Sequence, residues 1–242
     1  PPAKGSGADV AAGMLMTHGF QAELIAEEPA VKQPITFTFD ERGRMWVVEA
    51  MCYPSRQPEG KGKDRILIFE DTAGNGKFDK RTVFTEGLNL VSGFEVGYGG
   101  VWVGAAPHLL FIPDRNHDDV PDGPPEVLLD GFGYNDTHET LNSFIWGPDG
   151  WLYGNQGVFN TASVRKPDAA EKSPRTELHA GIWRYHPLRR EFEIFAHGGS
   201  NQWGLDFNMS GHLFMTHCRS FFGGGGTSYV IRNGHYWNQS NG

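Results

Sequence analysis

Asp40-Glu41-Arg42-Gly43-Arg44-Met45-Trp46-Val47-Val48 places a tight polar turn, with glycine at its fourth position, ahead of an aromatic-rich run that alternates as a half-buried strand does. The phrase returns as Gly97-Tyr98-Gly99-Gly100-Val101-Trp102-Val103, as Gly147-Pro148-Asp149-Gly150-Trp151-Leu152-Tyr153-Gly154, and as Asn208-Met209-Ser210-Gly211-His212-Leu213-Phe214. Glycine suits that turn position because φ > 0 costs it least. Each copy predicts a hairpin.

Gly43, Gly100, Gly150 and Gly211 recur at intervals of 57, 50 and 61 residues. That beat fits four-stranded propeller blades with long loops. A sandwich would place turn signals about every 8–12 residues with no longer rhythm. Second strand pairs lie between the phrases: Arg65–Phe69 with Arg81–Phe84, His108–Ile112 with Glu126–Leu129, and Gly181–Tyr185 with Glu191–Phe195. Ser228–Ile231 begins a fourth pair. The reading is all-β, a β-propeller with about four blades visible.

Propellers close with roughly 4–8 blades, and the fourth blade here runs into the strandless Ser240-Asn241-Gly242. The expectation is the N-terminal part of a larger, six-bladed propeller, its open edges covered by remaining blades or a partner subunit. Residues 1–20 read as a lead-in with a short helix over Gly7–Thr17, and residues 21–242 as the propeller segment. Phe20–Ala26 reads as an extended lead-in strand.

With 38% hydrophobic and 13% aromatic residues, and 33 glycines for turns, the 242 residues can fold around a sizeable core. A net charge of −8 without any Lys/Arg run argues against nucleic acid or an anionic membrane as partner. No stretch approaches the ~20 apolar residues of a membrane span. The start, Pro1-Pro2-Ala3-Lys4-Gly5-Ser6-Gly7, reads as a processed end, and the expectation drawn from it is export to the periplasm or cell surface. Cys52 and Cys218 follow the first strands of the first and fourth blades and are expected as free, buried thiols. No Cys-x-x-Cys-His occurs, so no c-type haem is attached here, and the spacing of His212 and His217 does not favour a shared ion.

Glu49, Asn155, Gln156, Asn201, Trp203, His217 and Arg219 fall at or just beyond the ends of inner-strand phrases, where propeller loops converge around the central channel. Singly such residues are surface groups; as a set on one face they form a candidate site. Tyr134, Trp203, Phe221 and Phe222 add faces on which a sugar ring can stack.

Two Asp-rich turns occupy equivalent hairpins of successive blades, Asp71–Asp79 and Asp114–Asp122. Both approximate an Asp-x-Asp-x-Asp-Gly-x-x-Asp calcium loop. The first has Ala73 where an oxygen ligand belongs. The second keeps Asp114, Asn116, Asp118 and Asp122 as candidate Ca²⁺ ligands but carries Asp119 in place of the glycine. Asp and Asn also build hairpin turns without any metal, and that plainer reading stands beside calcium.

Gly19–Pro29, Met45–Glu49, Leu67–Asp71 and Asn142–Gly154 together resemble the membrane-bound-dehydrogenase-type propellers abundant in planctomycete-type bacteria. That group is distantly similar to glucose/sorbosone dehydrogenases that use pyrroloquinoline quinone (PQQ). The resemblance implies a quinoprotein-like dehydrogenase that oxidises a sugar or other alcohol by hydride transfer to PQQ, passing electrons to an acceptor it does not name. It implies that His138, upstream of the Gly147-Pro148-Asp149-Gly150 hairpin, is the general base. It also implies that Asn201, in Ser200-Asn201-Gln202-Trp203-Gly204-Leu205, faces the cofactor with Gln202 and Trp203 beside it. Ser200 stands where the related motif carries arginine, and a hydroxyl cannot clamp a carboxylate as guanidinium does. The rival reading is a non-catalytic propeller that binds carbohydrate or protein partners.

Overall fold

The structure, a computed structural model, describes residues 5–218 and 226–237. They form four antiparallel blades in a β-propeller arrangement. Blade I is β1 (Pro34–Phe39), β2 (Met45–Glu49), β3 (Asp64–Glu70) and β4 (Lys80–Leu88). Blade II is β5 (Val91–Val96), β6 (Gly100–Ala105), β7 (His108–Pro113) and β8 (Glu126–Asp130). In blade III, β9 (Asn142–Trp146) and β10 (Leu152–Gln156) are followed by a small inserted hairpin, β11 (Ala162–Val164) with β12 (Thr176–Leu178). The blade then resumes with β13 (Gly181–His186) and β14 (Glu191–Gly198). Blade IV contributes β15 (Gln202–Phe207), β16 (Leu213–His217) and β17 (Gly226–Val230), and β18 (His235–Tyr236) returns to pair in parallel with the outer edge of blade III.

Each repeated glycine turn joins the first and second strands of its blade. In the first, Asp40 Oδ1 accepts the backbone N–H of Arg42 and of Arg44, and Gly43 takes φ 72°, so the side chain at the head of the phrase shapes the turn. Asn208 repeats this in blade IV with Ser210 and His212. The first strands β1, β5, β9 and β15 are neighbours in ring order and form the inner lining.

The alternation read from the sequence is what packs blade on blade. Trp46, Val48, Ile66 and Ile68 meet Phe94, Val101, Val103 and Ile112 between blades I and II. Trp102, Phe111, Phe144, Leu152 and Trp183 fill the space between II and III; Tyr153, Ile182, Leu213 and Met215 fill that between III and IV. The other face of blade I, Met45, Val47, Leu67 and Phe69, is covered by Ala26, Ala30 and Val31 from the chain that precedes it.

Two expectations for this leading segment change. The helix is only Gly7–Ala12, started by a Ser6/Asp9 capping box and closed at Gly13, and it buries no residue. Residues 20–26 form no strand, because they meet blade I through side chains and not through ladder hydrogen bonds. The cysteines are free as expected but follow second strands, β2 and β16, and only Cys52 is buried; Cys218 is exposed, with its sulfur 3.7 Å from Ser200 Oγ.

Antiparallel order sorts the connections onto two faces. First-to-second and third-to-fourth strand turns share one end of the blades, called here the turn face. Second-to-third connections and the crossings to the next blade share the other, the loop face. The Asp-rich hairpins lie on the first and His138 on the second.

Candidate functional site

On the turn face every buried ionic group has its partner. Arg44, 3% exposed, gives its Nε to Asp40 Oδ2 at 2.8 Å and its Nη1 to Asp119 Oδ2 at 2.7 Å, tying blade I to the third hairpin turn of blade II. Burial alone would lower the arginine, but Asp119 and Asp40 hold its pKa above the ordinary value. Arg184 repeats the arrangement in blade III, with Asp149 Oδ2 at 2.7 Å, Glu193 Oε1, the Tyr153 hydroxyl at 2.9 Å, and the Trp151 ring 4.2 Å below the guanidinium. Burial is the first cause that pushes the Tyr153 phenol up to about 12. Tyr98 reaches the Gly150 carbonyl of the next blade, and Arg232 reaches Glu193 across the last seam.

The two Asp-rich hairpins use their carboxylates in one shared pattern. Asp71 and Asp114 each accept the N–H four residues on, of Asn75 and Asp118; Asp79 and Asp122 accept those of Thr72 and Arg115. Asp118 accepts from Val120 N and from the Asn116 amide. These oxygens accept N–H donors, Asp114 Oδ1 and Asn116 Oδ1 sharing that of Asp118, and among the described residues no three His, Cys, Asp or Glu side chains are grouped to hold a metal. The expected ligands Asp114, Asn116, Asp118 and Asp122 therefore form a turn that does not fit Ca²⁺. Asp119, in the place of the calcium-loop glycine, takes the left-handed φ of 68° that a glycine would and spends its carboxylate on Arg44.

The loop face contrasts with this. Around blades I and II its polar groups are also satisfied: Asp64 accepts Cys52 N–H and Val91 N–H, and Ser92 and Thr140 bond each other. Glu49, fully buried, accepts Lys32 N–H at 2.7 Å and Arg65 Nε at 2.6 Å, so it stands as a structural ion pair and not as a free ligand group.

Around blades III and IV seven buried side-chain atoms have no partners among the described residues, although Gln156 Nε2 donates to the Asn160, Leu178 and His179 carbonyls, Gln202 Nε2 to the Gly198 carbonyl, and His217 Nε2 meets Ser228 Oγ. The unpartnered atoms are Asn155 Oδ1 and Nδ2, Gln156 Oε1, Gln202 Oε1, Asn201 Oδ1, His217 Nδ1 and Glu139 Oε2. Asn155, Gln156 and Gln202 are fully buried, yet leaving such a group unpaired costs about 1–3 kcal/mol. The strands bring them together. Asn155 and Gln156 end β10, and Gln202 pairs with His217 across β15 and β16. Blade III's β9 lies against β15, with Ser143 Oγ accepting the Gly204 N–H at 2.8 Å. Gly199 leads in at φ 97°, where a Cβ would stand 2.3 Å from Gln202 Nε2. Trp203, 40% exposed, stands on the same inner strand; Arg219, Phe221 and Phe222 lie outside the described residues.

His138 lies on the connection from β8 to β9, whose next residue, Glu139, accepts the Gly157 and Phe159 N–H groups just after β10. Asn160 staples that connection to the loop after β10 by two reciprocal bonds with the Asp136 backbone, and Thr137 Oγ1 anchors it to the Pro54 carbonyl. His138 Nδ1 is 2.6 Å from Asp136 Oδ1, and Tyr53 meets the ring edge-on at 5.6 Å. Partial burial raises the Asp136 carboxyl, but the His138 backbone N–H and ring outweigh it and hold the acid below its ordinary value. An ionised carboxylate only accepts, so Nδ1 carries the proton that meets Asp136, and Nε2 is the ring nitrogen left outside that pair. Sequence reading found His138 but missed Asp136, Asn160 and Glu139; the acid-dense run Asp136-Thr137-His138-Glu139 just ahead of an inner strand was the available signal.

The loop face offers amides and an imidazole, partners for carbonyl and hydroxyl oxygens. The two arginines that are buried among the described residues, Arg44 and Arg184, both lie on the turn face. For the three carboxylates of PQQ the described residues thus provide no buried cation, in line with Ser200 in place of arginine; on this count they do not fit that cofactor.

Similar solved structures share the fold at low identity. The PQQ domain of pyranose dehydrogenase from Coprinopsis cinerea, in its holo form, matches at TM-score 0.54 and 14% identity over 82% of this chain and 48% of its own. An oxidoreductase (glucose dehydrogenase) from Thermus thermophilus matches at 0.52 and 15%, over 85% and 64%. The PQQ-bound aldose sugar dehydrogenase of Streptomyces coelicolor matches at 0.51 and 16%, over 88% and 64%. The chain thus spans less than two thirds of each of these three propellers. No curated protein matches it. Residues 8–241 match the model of a family described as a Domain of unknown function (DUF7133), and the chain belongs to that family.

Proposed function

We propose that the loop face of blades III and IV binds a sugar or other alcohol and removes a hydroxyl proton from it, the proton half of an alcohol dehydrogenation. The Asp136–His138 pair carries this reading. Its geometry is that of an oriented base: the carboxylate fixes the ring and one tautomer, the second nitrogen is left outside that pair, and the next residue, Glu139, binds the chain just after β10, where buried amides lack partners. Asn155, Gln156, Asn201 and Gln202 would bind the substrate's oxygens, and Trp203 and Tyr134 would flank a ring. Similarity in fold to sugar dehydrogenases supports the choice of substrate class. The hydride acceptor is identified by the experiment, in which PQQ is one of the acceptors supplied.

The test is dye-linked oxidation of a sugar and alcohol panel, with and without added PQQ and Ca²⁺, alongside calorimetric binding of the same compounds. The reading expects oxidation that falls by about 10²-fold or more in His138→Ala while binding persists. Ser200 and the absence of a buried arginine from the described loop face favour a second reading, a propeller that binds carbohydrate without oxidising it. Binding without turnover under every condition would establish that reading, and neither binding nor turnover would refute both. Export to the periplasm or cell surface belongs to the same proposal and is tested by cell fractionation.

A further inference from the structure

The two buried arginines of the turn face use their nitrogens differently. Arg184 commits all three: Nε and Nη2 go to Glu193, and Nη1 goes to Asp149 and the Tyr153 hydroxyl. Arg44 gives Nε to Asp40 and Nη1 to Asp119, and its Nη2 takes no bond among the described residues. That nitrogen is not sealed from solvent either. Arg44 lines a cavity of about 340 Å³ between blades I and II, together with Trp46, Tyr98 and Asp114 and, at its exposed rim, Arg42 and His117. On a side chain only 4% exposed, an open nitrogen has the cavity to face. Asp114, also 4% exposed, is its complement: Oδ1 accepts the Asp118 N–H, Oδ2 accepts nothing among the described residues, and no ion pair joins Asp114 to Arg44.

The charges decide what can enter. Asp40 already accepts four N–H donors, and Asp119 pairs with Arg44 and Arg42, so the two guanidinium charges are balanced before any ligand arrives. An added anion would meet the Asp114 carboxylate, and an added cation would meet Arg44. A hydroxyl is neutral and both accepts and donates, which suits an open N–H beside an open carboxylate oxygen. Tyr98, 49% exposed and tied through its hydroxyl to the Gly150 carbonyl, adds an aromatic ring at the cavity. The volume falls at the small end of the range for small-molecule sites.

We propose that this cavity is a second ligand site, which binds one neutral sugar ring: Arg44 Nη2 donates to one hydroxyl, Asp114 Oδ2 accepts from another, and Tyr98 flanks the ring. The site lies at the opposite end of the blades from the loop-face site and does not depend on it.

The experiment is a titration of the full chain with methyl β-glucoside, followed by NMR at the Trp46 indole N–H and the Tyr98, Gly99 and Gly100 amides. The Asn155 side-chain amide reports the loop face in the same spectra. Asp114→Asn keeps an oxygen for the Asp118 N–H but places a donor where the ligand needs an acceptor. Tyr98→Gly removes the ring at a position whose φ of 52° suits glycine. Saturable shifts of the turn-face signals are expected, with affinity about tenfold weaker in each variant. Glucuronate, the same ring with a carboxylate, should bind more weakly than the glucoside. Turn-face signals that do not move, shifts confined to Asn155, or unchanged affinity in both variants would overturn the site. Tighter binding of glucuronate would overturn its assignment to a neutral ring. Should Asp114→Asn not fold, Tyr98→Gly decides, because its ring is half-exposed and lies outside the blade cores: unchanged affinity there overturns the proposal.

Discussion

Arg44 and Arg184 lie buried on the turn face with their carboxylates closed around them, whereas on the loop face Asn155, Gln156, Gln202 and Glu139 lie as deeply buried with oxygens that meet no donor. Both ends belong to the same strands, and β10 runs from the Asp149–Trp151 turn at one end to the unpaired amides at the other. The difference separates what holds the blades together from what waits for a ligand. Buried charge is tolerated where it is fully paired, and unpaired buried polarity persists where function compensates for its cost in stability.

Removing one partner on the turn face gives the largest effect. Arg44→Ala leaves Asp40 without its cation and Asp119 with only the exposed Arg42 at 3.7 Å, and is expected to destabilise by about 3 kcal/mol, read from denaturant midpoints. A loss under about 1 kcal/mol would show that this seam does not depend on its ion pairs.

The loop face should answer with the opposite sign. Asn155→Val removes two unpaired polar atoms from a strand position that suits a β-branched residue, and stability is expected to rise by about 1 kcal/mol while ligand binding weakens. Destabilisation like that of Arg44→Ala would mean that Asn155 is paired after all.

An effect visible only against pH separates channel-lining from site carboxyls. Glu95, on the inner strand β5, accepts Thr38 Oγ1 at 3.0 Å, and burial pushes it up from 4.5 to about 7. Folded protein holds this proton longer than the unfolded chain does. Its contribution is therefore complete below about pH 4.5 and is lost as pH rises through 7, on the order of 2 kcal/mol. Glu95→Gln should flatten the stability–pH curve above pH 5 and leave sugar binding unchanged, since Glu95 lies away from the loop ends. An unaltered curve would show an ordinary carboxylate.

The smallest effect is expected from chelation. Because Asp114, Asp118 and Asp122 serve backbone N–H groups, EDTA should shift the melting temperature by no more than about 1 °C, and Asp118→Ala should cost about 1 kcal/mol with or without it. A shift of several degrees that Asp118→Ala abolishes would restore a calcium loop, with ligand stabilisation by mass action.

The residues flanking Gly43, Gly100, Gly150 and Gly211 were enough to read hairpins, although in the second the positive φ falls on Tyr98 and Gly99 and not on Gly100; the alternation after them was enough to read blades, because both signals are local: a turn needs its φ, and a strand shows its faces in every second residue. Position at strand ends marked Asn155, Gln156, Asn201 and His217, with Glu49, Trp203 and Arg219, as one expected set, while Gln202 entered only beside the motif of the resemblance. Local signals could not show which of these end groups are satisfied. Glu49 belongs to the same class by position, yet Arg65 from the adjacent strand takes it, while Asn155 finds no donor. Asp119 read as a defect in a calcium loop until the fold placed Arg44, 75 residues away, against it. Glu139 was passed over because nothing in its neighbours announces burial; the close approach of Gly157 creates it. Sequence by itself determined the strands, the turns and the rhythm of the blades, since these follow from backbone preference and side-chain period. Tertiary structure alone decided which polar groups are paired and which carboxyls keep their protons, because pairing and desolvation depend on neighbours brought from distant parts of the chain.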